Sequence, residues 1–208
     1  MSPTPSTIEA YDRQAPSRAA TETATFALGC FWGPDARFGA LDGVVRTRVG
    51  YAGGTTPDPT YHDLGDHTEA LQVDFDPERR SVESLLDLAF RGHDHTRQPS
   101  ARQYQHIVFA STAAQADAIA AYLDSRGLTR EGIATRIEQL SGFHLAEAYH
   151  QKHSLRGRKA LLSTFEQAGY DDSDLQESPA AAKLNGYAAG RDLPEGHDLG
   201  TSTNRTVH

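Results

Sequence analysis

Cys30 is the residue with the clearest capacity for chemistry, and it is the only cysteine in the 208-residue chain. It lies in the segment Gly29-Cys30-Phe31-Trp32-Gly33, between a short apolar stretch and residues whose aromatic side chains recur at helical spacing. A thiol at the N-terminus of a helix lies near the positive end of the helix dipole and near free backbone N–H groups. We therefore expect the pKa of Cys30 to lie below its ordinary value of about 8.5, which favours a nucleophilic thiolate. The alternative for a single cysteine is an inert residue buried in the core.

The single cysteine and the net negative charge exclude or disfavour several kinds of site and binding partner. One cysteine excludes an internal disulfide and every metal site built from several cysteines. The 20 Lys and Arg against 28 Asp and Glu give a net charge of −8, which argues against nucleic acid and anionic membranes as partners. Some histidines in predicted loops have spacings that match no specific metal site, so we expect solvated side chains and no bound metal. These histidines are His62, His67, His93 and His95.

Hydrophobic patterns predict the elements that position Cys30. Strands are predicted over residues 25–28, 44–51, 70–75, 106–109 and 134–140, and helices after Cys30 and over residues 81–90, 112–125 and 146–168. Strands and helices interleaved in this way favour an α/β or α+β two-layer sandwich around a mixed sheet. The Gly-, Pro- and Asp-rich stretch over residues 53–69 is too long for a simple connection, and such loops often carry function.

The two ends of the chain differ from its middle in composition. Residues 1–24 are predicted to form a flexible N-terminal arm, residues 25–170 one folded domain, and residues 171–208 a C-terminal tail that is partly ordered or draped on the domain. The sequence has neither a secretory signal nor a run of about 18 apolar residues. We therefore expect no membrane association, a cytoplasmic location by default, and a monomer.

The motifs around Cys30 resemble those of peptide methionine sulfoxide reductase A and occur in that family's order. Beyond the segment that holds Cys30, the matching motifs are Val49–Gly54, Pro59–Tyr61, His67–Ala70, His93-Asp94, Gln103-Tyr104, Ala146-Glu147 and Tyr149-His150-Gln151. The resemblance covers about residues 26–153, most of the predicted domain. It implies an α+β fold, a two-layer α/β roll with a mixed sheet and the catalytic cysteine at a helix N-terminus.

The resemblance also implies an activity and a set of site residues. The family reduces the S epimer of methionine sulfoxide, free or within oxidised proteins, which is a repair reaction under oxidative stress. The chemistry needs a thiolate and a proton donor on opposite sides of the substrate. The positions that match the family are Cys30 as nucleophile, Glu69 as proton donor, Tyr61 and Tyr104 as hydrogen-bond donors to the sulfoxide oxygen, and Phe31 and Trp32 as walls for the S-methyl group.

Each of these residues also has an ordinary structural explanation. Glu69 could be an exposed strand charge or part of a salt bridge, the two tyrosines could be core or rim aromatics, and Phe31 could be a packing residue. A carboxyl group donates a proton near neutral pH only if its pKa is raised. We expect burial beside Phe31 and Trp32 to raise the pKa of Glu69 in this way.

The chain lacks the additional cysteines with which many family members form a disulfide to the catalytic sulfur. The reaction leaves a sulfenic acid on Cys30, so an external thiol must reduce it directly. Thioredoxin, glutaredoxin or a small-molecule thiol would serve, and we expect no bound cofactor.

A second departure lies between Asp94 and Gln103, where the loop is shorter than usual in the family and Pro99 takes about the place of an Asp. Asp35 also stands where the family usually has Glu. The histidines of the predicted loops could compensate by donating hydrogen bonds or by titrating near the site. These differences leave an alternative open, in which the protein acts on another sulfoxide or S-oxidised metabolite, or binds oxidised methionine without turnover.

Overall fold

The computed structural model describes residues 2–194, 196, 197 and 199–201. Its helices and strands are, in chain order, α1 (Pro5–Gln14), β1 (Glu22–Leu28), α2 (Trp32–Gly39), β2 (Val44–Ala52), β3 (Thr68–Phe75), α3 (Val82–Phe90), β4 (His106–Ala110), α4 (Ala113–Ser125), β5 (Arg136–Gln139), β6 (Phe143–Leu145), α5 (His153–Arg156), α6 (Lys159–Gln167), α7 (Asp172–Glu177) and α8 (Pro179–Ala188). Within these residues, no helix is long and apolar enough to cross a membrane.

The six strands form one mixed sheet in the order β5-β4-β1-β3-β2-β6. β4 and β5 are parallel, and every other neighbouring pair is antiparallel. Successive side chains of a strand point to opposite faces, so Phe26 enters the main core with α2, α3 and α4 while Ala27 enters a smaller cluster with Ile107 and Phe109. The predicted α+β class and mixed sheet are confirmed.

The ends of the chain contain more regular structure than the composition indicated. Thr4 caps α1 through a reciprocal hydrogen-bond pair with Thr7, and Ile8 is completely buried against side chains of α6 and α8. Residues 5–14 are thus helical, and β1 begins three residues before the predicted strand. The division of the chain into arm, domain and tail stays a prediction. Residues 202–208 of the predicted tail lie outside the described residues.

The helical region predicted over residues 146–168 is divided into three short elements. The chain there forms a 3₁₀ turn over Ala148–His150, followed by α5 and α6. Gln151 turns inward and bonds both backbone groups of Val49, at 3.0 and 2.8 Å. Lys152, also fully buried, adopts a left-handed conformation with φ of 55° and donates to the carbonyl oxygen of Thr47 at 2.6 Å. A left-handed residue interrupts a right-handed helix, which explains the break.

The C-terminal helix α8 packs directly on α2, the helix that follows Cys30. The two helices can approach closely because Gly186 has no side chain. A Cβ atom at this position would lie only 2.7 Å from the carbonyl oxygen of Ala36. The ammonium group of the buried Lys183 donates to three backbone carbonyl oxygens at the end of α2 and just beyond it. The tail is therefore part of the framework that holds α2 at this end.

Candidate active site

A tight turn between β1 and α2 presents Cys30 at the surface. Gly29 has φ of +82°, a conformation that side chains disfavour, and it lets the chain reverse directly after β1. Cys30 is exposed, and α2 begins two residues later at Trp32. The predicted position of the thiol, at the start of a helix, is confirmed.

The prediction that the pKa of Cys30 lies below its ordinary value is wrong. Surrounding atoms remove enough water from the sulfur to raise the pKa of the thiol, and the negative charge of Glu69 raises it further. A hydrogen bond from the backbone N–H of Trp32 acts in the opposite direction without outweighing these effects. The helix terminus does favour the thiolate, but desolvation and a nearby carboxylate oppose it.

Glu69 is the buried carboxyl group of the site. It lies on β3 opposite Tyr51 of β2, and only 1% of the residue is exposed. Its Oε2 accepts the backbone N–H of Phe31 at 3.0 Å, and its Oε1 accepts the side-chain amide of Gln103 at 2.6 Å. Burial raises the pKa of Glu69 although both hydrogen bonds lower it, so the expected direction is confirmed. No Lys, Arg or His among the described residues pairs with it.

Tyr104 lies near this carboxyl group and beside Tyr61. Loss of water raises the pKa of Tyr104, the charges of Glu69, Tyr61 and Cys30 raise it further, and so does the hydrogen bond that its hydroxyl group donates to Tyr61. Effects of this kind require proximity, so the structure brings the thiol, the carboxyl group and the two phenols into one cluster. Tyr104 lies in a 3₁₀ turn, Arg102–Tyr104, whose first carbonyl accepts the hydroxyl of Thr68 at 3.0 Å.

Phe31 and Trp32 differ in how they are held. Phe31 is 2% exposed, packs in the main core and donates its backbone N–H to Glu69. Trp32 is half-buried, donates its indole N–H to Nδ1 of His150 at 3.2 Å, and stacks on His153 with ring centroids 3.7 Å apart. Their roles toward the S-methyl group stay predictions.

Several residues around the cluster were not assigned a role from the sequence. Glu147 accepts the backbone N–H of Tyr61 at 2.9 Å and the hydroxyl of Tyr51 at 2.7 Å, so it ties the long loop to β2. His150 fixes the indole of Trp32, and Gln103 contacts Glu69. These three residues belong to motifs that carried the family resemblance, which was the available signal.

The histidines of the predicted loops have separate surroundings. His62 meets the ring of Tyr61 edge-on at 5.4 Å, whereas His67 is buried and its Nε2 bonds the carbonyl oxygen of Thr56 at 2.8 Å. His93 bonds the carbonyl oxygen of Ala89 and the hydroxyl of Thr135. The rings of His93 and His95 are both tilted against Phe90, with centroids 5.7 and 6.1 Å from that of Phe90. In the part of the chain that the structure describes, no three His, Cys, Asp or Glu residues are placed to hold a metal ion.

The shortened loop before Tyr104 is fixed by an amide rather than a carboxylate. Gln98 bonds both backbone groups of His106, each at 2.7 Å, and the carbonyl oxygen of Ala134 at 2.8 Å. Pro99, which follows it, is half-buried. Asp35 is completely buried, where it accepts the hydroxyl of Thr47 and, at 3.0 Å, the amide of Asn185 in α8.

Comparison with known proteins agrees with this geometry. The family model described as peptide methionine sulfoxide reductase matches residues 22–177. A peptide methionine sulfoxide reductase of Drosophila melanogaster is 44% identical over 171 residues, which cover 81% of this chain and 68% of the fly protein. Peptide methionine sulfoxide reductase A5 of Oryza sativa subsp. japonica is 38% identical over 182 residues, covering 84% and 71% of the two chains.

Solved structures show the same relationship. Methionine sulfoxide reductase A of Corynebacterium diphtheriae matches with a TM-score of 0.59 and 31% identity, covering 68% of this chain and 78% of the other. The reduced form of Mxr1 from Saccharomyces cerevisiae matches with a TM-score of 0.56 and 30% identity, covering 64% and 84%. This chain belongs to the peptide methionine sulfoxide reductase family.

Proposed function

We propose that this protein reduces the S epimer of methionine sulfoxide, free or within oxidised proteins, with Cys30 as nucleophile and Glu69 as proton donor. The main support is that the exposed thiol of Cys30 lies near the buried carboxyl group of Glu69. This carboxyl group has a raised pKa and no cationic partner among the described residues. Such a carboxyl group can hold a proton until the substrate takes it. Because reduction needs a proton donor and binding does not, the presence of Glu69 favours reduction over binding without turnover.

The reaction moves one oxygen atom from the substrate to the enzyme. The thiolate of Cys30 attacks the sulfoxide sulfur while the sulfoxide oxygen takes the proton of Glu69. The bond between the substrate sulfur and its oxygen then breaks as the hydroxyl group passes to the cysteine sulfur. The transient bond between the two sulfurs also breaks, and the substrate sulfur keeps the electron pair that the cysteine sulfur loses. Methionine leaves, Cys30 is a sulfenic acid, and Glu69 is a carboxylate.

The other proposed site residues orient the substrate. The hydroxyl groups of Tyr61 and Tyr104 would hydrogen-bond the sulfoxide oxygen as charge develops on it, which the proximity of Tyr104 to Glu69, Cys30 and Tyr61 supports. The half-buried indole of Trp32, with the neighbouring Phe31, would contact the S-methyl group. Contacts between sulfur and an aromatic ring are each worth about 0.3–1.5 kcal/mol.

An external thiol would return Cys30 to its reduced form. The sulfenic acid condenses with one thiol to give a mixed disulfide and water, and a second thiol then releases the cysteine. Because the chain has no other cysteine, no disulfide can form within it. Thioredoxin, glutaredoxin and small thiols stay the predicted reductants, and the monomeric state and cytoplasmic location also stay predictions.

The two epimers of a blocked methionine sulfoxide provide the test. We expect the protein to convert the S epimer to methionine in the presence of dithiothreitol and to leave the R epimer unchanged. Reaction of Cys30 with iodoacetamide in the same sample shows that the thiol is intact. Turnover of neither epimer by a protein with a reactive Cys30 would contradict the proposal.

A further inference from the structure

We propose that Gln103 is a positioning residue that stabilises the carboxylate formed on Glu69 and thereby eases the transfer of its proton to the substrate. The proposal rests on the proposed function, because it concerns the same proton donor. Gln103 precedes Tyr104 in the chain, so one short turn would supply a contact to the sulfoxide oxygen and a contact to the acid.

The geometry of Glu69 is that of a carboxyl group prepared to become an anion. Each of its two oxygens accepts one N–H group, from the backbone of Phe31 at 3.0 Å and from the amide of Gln103 at 2.6 Å. The Phe31 donor is fixed by the backbone at the start of α2. The Gln103 donor is a side chain on a separate segment, so it is the contact that substitution can remove.

The groups near Glu69 explain why an uncharged hydrogen-bond donor such as Gln103 suits a carboxyl group that must both hold and release a proton. Tyr51 lies opposite on β2, Cys30 and Tyr104 lie near enough for their charges to interact with that of Glu69, and Tyr61 lies beside Tyr104. All four can only be neutral or negative, and no cation among the described residues pairs with Glu69. Two N–H donors stabilise the anion moderately, so the carboxyl group can change its charge during the reaction, whereas a direct ion pair would hold it ionised.

The 3₁₀ turn fixes the amide relative to β3. The hydroxyl of Thr68, the residue before Glu69, donates to the carbonyl oxygen of Arg102, the residue before Gln103. Two hydrogen bonds therefore join β3 to the 3₁₀ turn. One is this bond from the Thr68 hydroxyl, and the other joins the side chains of Gln103 and Glu69. The amide therefore stays in place when the charge on Glu69 changes.

The experiment is the pH profile of methionine formation in a single turnover without reductant, for the whole chain and its variants. Glu69→Gln identifies the limb of the profile that belongs to Glu69, because that limb disappears. Gln103→Leu removes the donor, so we expect this limb to move up by about one pH unit and the maximal rate to fall about tenfold. Gln103→Lys adds a cation and should move the same limb to lower pH.

Gln105→Leu is the matched control, since its half-buried side chain makes no hydrogen bond to a described residue. We expect its profile to coincide with that of the unmodified protein. A loss of rate in Gln103→Leu without movement of the limb, or movement in the same direction in both Gln103 variants, would overturn the proposal. Failure of the unmodified protein to form any methionine would instead contradict the proposed function.

Discussion

The two ends of α2 are held in different ways. At its N-terminal end, Cys30 is exposed and its neighbour Glu69 has hydrogen-bond donors but no cationic partner among the described residues. At the other end, Lys183 is 1% exposed and donates to the carbonyl oxygens of Gly39, Leu41 and Val44 at 2.8, 2.6 and 2.6 Å. Burial lowers the pKa of Lys183 to about 7, so its stabilising contribution comes chiefly from the N–H groups that it supplies to free carbonyl groups near the helix C-terminus.

The reacting groups lie at the N-terminal end of α2, whereas the contacts that hold the helix in place lie along its length and at its C-terminal end. Between the two ends, Asn185 accepts the backbone N–H of Leu155 at 3.0 Å and donates to Asp35 of α2 at the same distance. These contacts come from α8, which lies beyond residues 22–177 matched by the family model. The C-terminal helix of the described residues thus supports α2. Substitutions at the open end should therefore alter the reaction, and substitutions at the anchored end should alter stability first.

The largest expected effect is that of Cys30→Ser. The hydroxyl group is a poor nucleophile without activation, so we expect no methionine above the uncatalysed background. Because Cys30 is exposed, the free energy of unfolding should change by less than about 0.5 kcal/mol. Methionine formation and denaturant unfolding measure the two quantities. Retained activity would show that the nucleophile has been assigned to the wrong atom.

Glu69→Gln should have the next largest effect. The amide cannot supply the proton, so the sulfoxide step should slow about 100- to 1,000-fold while KM changes little. Single-turnover kinetics at several substrate concentrations separate the two parameters. An unchanged rate with weaker binding would instead identify Glu69 as a substrate-binding residue.

At the anchored end, Lys183→Met should act mainly on stability. It leaves three backbone carbonyl oxygens without their donor and should lower the free energy of unfolding by about 3 kcal/mol. Lys159→Met, at an exposed position on α6, is the matched control and should change it by less than about 0.5 kcal/mol. Equal stability of the two variants would show that α8 does not anchor α2.

The smallest expected effect is that of the negative charge of Glu69 on the pKa of Cys30. A raised pKa means that less of the thiol is ionised at a given pH, so alkylation by iodoacetamide should reach half its maximal rate above the ordinary pKa of a thiol. Glu69→Gln removes the negative charge that contributes to this shift, and the alkylation curve should move to lower pH. A curve that stays in place would mean that desolvation alone sets the pKa.

The sequence contained enough information for the sheet and for the turn that carries Cys30. Alternating apolar residues predicted most of the strands, and Gly29 before an aromatic helical pattern predicted the turn. β6 was missed because the three residues Phe143–Leu145 are too few to show alternation. The position of Glu69 in a site with Cys30 followed from family resemblance, since no local pattern relates a residue in the turn after β1 to a residue on β3.

The missed features depend on contacts between distant segments. Lys183 and Asn185 look like solvated residues of a tail, yet both are buried because they bond to backbone and side chains of other helices. The pKa of Cys30 was predicted in the wrong direction because the helix terminus is local, whereas the charge of Glu69 and the desolvation arise from the folded chain. Side chains that satisfy distant backbone groups leave no periodic signal in the sequence.

Cys30 is the one residue that the proposed reaction oxidises, and one turnover without any reductant tests this most directly. We expect one methionine per protein chain from the S epimer, together with a gain of one oxygen atom at Cys30 that a sulfenic-acid reagent such as dimedone captures. Methionine formation without a modified Cys30, or a modified Cys30 without methionine, would contradict the account.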